Sequence, residues 1–127
     1  MKKDAKILII DDEERDIKAM SAVLKRAGFS QISTAKTEFI GLELVKTFKP
    51  DMVIIDVVLN KSNGFDICKK IKNMTGVTPI VIMITGHLDA VDTKRAVHSG
   101  ADEIIEKTLG FKNIAPAIER FINRETL

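Results

Sequence analysis

Three carboxylates, a hydroxyl and an ammonium follow four short apolar runs in this sequence. Ile7-Leu8-Ile9-Ile10 runs into Asp11-Asp12, Met52-Val53-Ile54-Ile55 into Asp56, Ile80-Val81-Ile82-Met83-Ile84 into Thr85, and Ile104-Ile105, through Glu106, into Lys107. Asp11, Asp12 and Asp56 brought within a few ångströms would repel one another. A hard divalent cation that takes oxygen ligands relieves this, and Mg2+ suits a site of carboxylates, a carbonyl, waters and a phosphoryl oxygen. A carboxylate attacking phosphorus needs the charge on the equatorial oxygens neutralised, with a cation on one side and Lys107 and the Thr85 hydroxyl on the other. Each residue singly has a plainer account. Asp11-Asp12-Glu13-Glu14 reads as a helix N-cap with an acidic first turn, Asp56 and Thr85 as capping residues, and Lys107 as a solvated side chain.

The elements that must position these groups are legible around them. Runs of this length, rich in Ile and Val and without polar alternation, read as parallel strands covered on both faces. In an open sheet of such strands, ligands bind at the carboxyl ends. Ile17, Met20, Leu24 and Ala27 fall at helical spacing, which predicts a helix over Glu14 to Ala27, with Gly28 free to take positive φ after it. Gln31 to Ala35 is a weaker strand. Thr37 can cap a second helix with Ile40, Leu44, Val45 and Phe48 on its apolar side, ending before Pro50. Ile67, Ile71 and Met74 mark a third helix, and a fourth runs from about Asp89 to Gly100. A strand at Glu103 to Glu106 precedes a last helix carrying Ile114, Ile118, Phe121 and Ile122. Starting that helix at Asn113 puts Pro116 in its first turn, where the missing N–H costs little. Strand and helix alternate five times, the pattern of an α/β doubly wound parallel sheet, here one domain over residues 1–127.

The totals exclude several classes. A formal charge of +2 from 20 basic and 18 acidic side chains marks neither a nucleic-acid nor an anionic-membrane surface. Cys68 is the single cysteine, so no intrachain disulfide can form, and the expected compartment is the reducing cytoplasm. The four-residue apolar run after Lys2-Lys3 is too short for export or membrane insertion and ends in acids. His87 and His98 are too few and too poorly partnered for a zinc site.

The set Asp11-Asp12, Asp56 with Gly64 eight residues on, Thr85-Gly86 and Lys107 resembles the signature of bacterial response-regulator receiver domains, and the resemblance runs from Lys6 to about Asn123. It implies a flavodoxin-like five-stranded sheet of order 2-1-3-4-5 with five helices. It also implies roles. Asp56 accepts phosphate from a sensor histidine kinase or phosphotransfer protein, and Asp12 binds Mg2+ directly while Asp11 acts largely through water. The Val58 backbone carbonyl is a third metal ligand. Thr85 binds the phosphoryl oxygens and moves on activation, and Lys107 pairs with the phosphoryl group. By the same resemblance the protein is a signalling domain that catalyses only its own phosphorylation and dephosphorylation, and it switches a downstream protein target or output domain.

Four positions depart from the pattern. Asn60 stands where a proline commonly shapes the loop after the phosphoacceptor. Thr108 replaces the proline that follows the lysine, and without proline a cis bond costs about 2.5–4 kcal/mol. Ile104 occupies the switch position usually held by Tyr or Phe. Pro116 alters the start of the last helix, part of the face through which receivers usually meet partners.

Three rival functions share part of this residue set or its expected fold. A Mg2+-dependent phosphatase with an aspartyl-phosphate intermediate resembles its kin in carrying a second Asp two residues after the nucleophile, where this chain has Val58. A flavin carrier of the same fold needs a phosphate cradle after the first strand, and Asp11-Asp12-Glu13-Glu14 has the wrong charge for it. An unphosphorylated pseudo-receiver adaptor is the remaining alternative, kept open by Ile104 and Thr108. With the chain ending just past the last helix, no output domain is expected within it.

Overall fold

The structure is a computed structural model and describes residues 3–125. Each apolar run forms a strand: β1 is Lys6–Ile10, β2 Gln31–Ala35, β3 Met52–Asp56, β4 Ile80–Thr85 and β5 Glu103–Glu106. They pair in parallel in the order β2-β1-β3-β4-β5. The helices are α1 Glu14–Arg26, α2 Glu38–Thr47, α3 Gly64–Lys72, α4 Ala90–Ser99 and α5 Ile114–Glu125. A small antiparallel pairing of Val58–Leu59 with Ser62–Asn63 closes the loop between β3 and α3.

The central strands β1, β3 and β4 lack polar alternation because both of their faces are covered. Ile7, Ile9, Met52, Ile54, Ile82 and Ile84 pack toward Met20, Leu24, Ile118 and Ile122 of α1 and α5. Leu8, Ile10, Val53, Ile55, Val81 and Met83 pack on the other side with Val45, Phe65, Ile71 and Ala96 of α2, α3 and α4. Burial of each such side chain contributes about 1.5–3 kcal/mol, and with both faces covered neither can carry a polar residue without loss.

Helix boundaries follow local chemistry. The Thr37 side chain accepts from the Ile40 N–H, and that of Asp89 from the Asp92 N–H, so each caps the helix after it. Gly28 has φ +101° and Gly100 φ +88°, the left-handed turns expected after α1 and α4.

Two expectations need correction. Ile40 of α2 is 46% exposed; Gly41 and Val45 are the buried residues of that helix, and Leu42 and Leu44 pack partly buried against the same core. The cause is Gly41: a Cβ there would lie 2.8 Å from Ile10 Cδ1, so the missing side chain lets the helix settle along that row. Met74 lies beyond the end of α3 and packs from the following turn. Asn113 precedes α5 as expected, its carbonyl accepting from the Ala117 N–H at 3.2 Å with Pro116 in the first turn, while its side-chain amide donates to the Glu106 carbonyl at 2.7 Å and its side-chain oxygen accepts from the Thr108 hydroxyl. Its side chain ties the end of β5 to α5. No cis peptide bond occurs among the described residues, the Lys107–Thr108 bond included.

Candidate functional site

The sheet register brings the chemistry-bearing residues to one edge. Ile10 pairs with Ile55, Asp56 with Ile84, and Thr85 with Glu106, so Asp11, Asp56, Thr85 and Lys107 all leave the carboxyl ends of adjacent strands. The Lys107 N–H donates to the Thr85 carbonyl at 2.7 Å, which fixes β5 against β4 beyond the last ladder pair.

Asp56 is 6% exposed. Its Oδ1 accepts from the Val58 N–H at 3.0 Å, and its Oδ2 from Lys107 Nζ at 2.6 Å. The chain then turns, and the Gly64 N–H donates to the Val57 carbonyl at 2.8 Å. Gly64 is tight for a physical reason: a Cβ there would overlap the Asp56 carbonyl oxygen and stand 2.8 Å from Met83 Cε. The spacing of eight residues is the length of chain needed to return α3 to the acceptor strand. Gly64→Ala is expected to cost about 2 kcal/mol or more as backbone is forced apart. Denaturant unfolding measures it, and an unchanged midpoint would mean the approach is not tight.

Asp11 is completely buried. Its Oδ1 accepts from the Glu13 N–H at 2.9 Å, while its Oδ2 has no hydrogen-bond partner among the described residues and lies 3.8 Å from Lys107 Nζ. Burial pushes its carboxyl up to about 7; the Glu13 N–H opposes this and the Asp56 charge adds to it. A buried carboxylate oxygen without a donor is costly. It is the feature a hard cation relieves, and carboxylate oxygens of Asp11, Asp16 and Asp56 lie within 4.8 Å of one another. The donor set is all oxygen, as Mg2+ requires.

The capping account of Asp11 and Asp12 does not hold, although Glu14 of the same run does lie in the acidic first turn of α1. The N-cap of α1 is Glu13, with no side-chain capping bond, so Asp11 and Asp12 do not cap that helix. Asp89, not Thr85, caps α4. Lys107 is held by carboxylates, not solvated. Burial alone would lower the pKa of its ammonium, but hydrogen bonds to Asp16 and Asp56, with the charges of Asp56 and Asp11, hold it above the ordinary lysine range.

The remaining residues sit at the periphery. Asp12 is exposed, and its Oδ2 accepts from the Asn60 N–H at 2.6 Å, which places it outside the group of three close carboxylates. That bond is possible because Asn60 is not a proline. Val58 is 73% exposed at the mouth of the site. The buried Thr85 hydroxyl lies 3.3 Å from both the N–H and the carbonyl of His87. Ile104 is partly buried and lines an open groove with Leu88 and Pro116.

Asp16 was missed by sequence reasoning. Its Oδ2 accepts from Lys107 Nζ at 2.8 Å. A signal existed: Asp16, Met20 and Leu24 share the i, i+4 row of α1, and Met20 and Leu24 are fully buried. An acid continuing a buried row requires a partner.

The chain matches the response regulator receiver domain family over residues 7–119. Among curated proteins, the alkaline phosphatase synthesis transcriptional regulatory protein PhoP of Bacillus subtilis is 28% identical over 122 residues, 96% of this chain and 50% of that protein. The DNA-binding response regulator MtrA of Mycobacterium tuberculosis is 30% identical over 124 residues, 94% of this chain and 51% of that protein. The chain thus spans about half the length of the curated relatives it matches. A two-component response regulator from Clostridium difficile superposes with TM-score 0.87 at 24% identity, covering 97% of this chain and 99% of that one. The signal receiver domain of a DNA-binding response regulator from Colwellia psychrerythraea gives TM-score 0.78 at 32% identity, covering 91% and 99%.

Proposed function

Because the chain belongs to the response regulator receiver domain family, we propose that Asp56 accepts a phosphoryl group, in the presence of Mg2+, from a phosphohistidine of a sensor histidine kinase or phosphotransfer protein. The observation that carries this is the buried Asp56 carboxylate, held by Lys107 at 2.6 Å beside an Asp11 oxygen with no hydrogen-bond partner among the described residues. In the transfer an Asp56 carboxylate oxygen bonds to phosphorus as the bond from phosphorus to the histidine nitrogen breaks, the electron pair leaving with the imidazole.

Asp11, Asp12, Asp56 and the Val58 carbonyl would hold the Mg2+. When bound, the ion neutralises charge on the phosphoryl oxygens. The other groups are the chain's own. Lys107 balances the opposite side of the phosphoryl group. The Thr85 hydroxyl exchanges its contacts with the His87 backbone for a phosphoryl oxygen. On this reading residues 1–127 form a single receiver unit that catalyses only its own phosphorylation and hydrolysis and passes the signal to a downstream protein or output domain, and the family match over residues 7–119 supports it. Among the described residues no helix is long and apolar enough to cross a membrane.

The test is labelling with acetyl phosphate followed by intact mass: one phosphoryl group per chain with Mg2+, none with a chelator. Loading in the chelator would overturn the metal requirement. The acids can be separated further. Glu14 is exposed in the first turn of α1 and paired with Lys36, whereas Asp12 stands at the site. Asp12→Ala is therefore expected to weaken Mg2+ binding about tenfold or more, and Glu14→Ala less than about twofold. Amide chemical shifts during Mg2+ titration report both, and equal losses would return Asp12 to the role of a helix-end charge.

A further inference from the structure

Asp16 lies outside every sequence motif, yet it supplies half of the anchorage of Lys107. Lys107 Nζ donates to Asp16 Oδ2 at 2.8 Å and to Asp56 Oδ2 at 2.6 Å, in a pocket where the Lys107 and Asp16 side chains are 22% and 24% exposed. The two carboxylates reach the ammonium from different elements. Asp56 comes from the end of β3, and Asp16 from the first turn of α1, which is held on the sheet by Met20 and Leu24.

Phosphorylation changes one of these partners and leaves the other. Once an Asp56 oxygen is bonded to phosphorus, the carboxylate has become an acyl phosphate and can no longer hold Lys107 as an ionised pair. The ammonium must then turn toward a phosphoryl oxygen. Without Asp16 the carboxylate left beside the ammonium is Asp11 Oδ2 at 3.8 Å, beyond hydrogen-bond reach, and an ammonium on a four-carbon stem would swing toward solvent, at a large loss of effective concentration. With three donors it can keep Asp16 and redirect one N–H. We propose that Asp16 is a positioning residue for phosphoryl transfer, holding Lys107 Nζ at the acceptor while Asp56 gives up its share of the ion pair. This rests on the acceptor role proposed for Asp56.

Two measurements test it. In the first, labelling by acetyl phosphate is timed; the Asp56 oxygen–phosphorus bond forms as the phosphorus–oxygen bond to acetate breaks, the electron pair leaving with acetate. Asp16→Ala is expected to slow labelling about fivefold, the scale of one charge-assisted hydrogen bond at a partly exposed site. Asp16→Asn, which keeps an acceptor oxygen, should fall between. In a Lys107→Ala background, Asp16→Ala should add no further slowing, because its action runs through the lysine.

The second measurement needs no chemistry: the Lys107 ammonium resonance, observed in 15N-lysine-labelled protein. It should persist in Asp56→Asn and disappear in Asp56→Asn with Asp16→Ala, as the ammonium is released to exchanging solvent. Wild-type labelling by Asp16→Ala would overturn the proposal. So would equal slowing with and without Lys107, the mark of a carboxylate acting directly on a cation, or a Lys107 resonance indifferent to Asp16. If the wild-type protein takes no phosphoryl group at all, the acceptor reading fails, and transfer positioning with it. The resonance then reports separately whether Asp16 anchors Lys107.

Discussion

Asp56→Asn is expected to take no phosphoryl group from acetyl phosphate under conditions that add one to each wild-type chain. The substitution is nearly isosteric. An asparagine oxygen can still accept the Val58 N–H that now reaches Asp56 Oδ1, and the surrounding Ile55, Val57 and Ile84 are untouched. What disappears is the anionic oxygen that attacks phosphorus, together with the charge that draws Lys107. Folding is therefore retained while reactivity is lost, and intact mass reads the difference. Equal labelling of the variant would place the acceptor elsewhere. Failure of both proteins to label would favour the unphosphorylated adaptor.

Asp11→Asn is expected to raise the stability of the metal-free protein at pH 8. The folded-state Asp11 carboxyl stands near 7, against an ordinary value of 3.8, chiefly because it is buried. The folded chain thus binds this proton more tightly than the unfolded chain. As pH rises from about 4 to about 7 the unfolded chain releases the proton first, so stability falls across that window and stays reduced above it. The shift corresponds to a loss on the order of 2–4 kcal/mol in the metal-free protein at pH 8 relative to pH 4. Asn carries no charge and can still accept the Glu13 N–H, so the metal-free variant should recover most of that loss at pH 8 and lose this part of the pH dependence. The same change should weaken Mg2+ binding. Denaturant unfolding in a chelator at pH 5 and pH 8 measures the first effect. A variant no more stable than wild type at pH 8 would show that the buried carboxylate is not strained.

Coupling between these two variants follows from their geometry. Asp11 and Asp56 share Lys107 and lie within reach of one cation, so their effects on Mg2+ affinity should not add.

The central strands were legible locally, because a strand covered on both faces must be apolar throughout, and the runs Ile7–Ile10, Met52–Ile55 and Ile80–Ile84 are too short for buried helices. The sequence by itself determined the ends of α2 and α4 as well, since Thr37, Asp89 and Gly100 act on neighbours within a few residues. The gathering of Asp11, Asp56, Thr85 and Lys107 at one edge followed from parallel strands, which put every carboxyl end on the same side. Tertiary structure alone decided the rest. Which face α2 buries depends on the Ile10 side chain beneath Gly41, a partner distant in sequence. That the Asn113 side chain binds the end of β5 depends on where Glu106 lies. The partners of Asp12 and Asp16 are Asn60 and Lys107, 48 and 91 residues away. Local pattern cannot rank such contacts, because the energy of a charged hydrogen bond depends on burial and on competing partners, and both are created only when the chain closes.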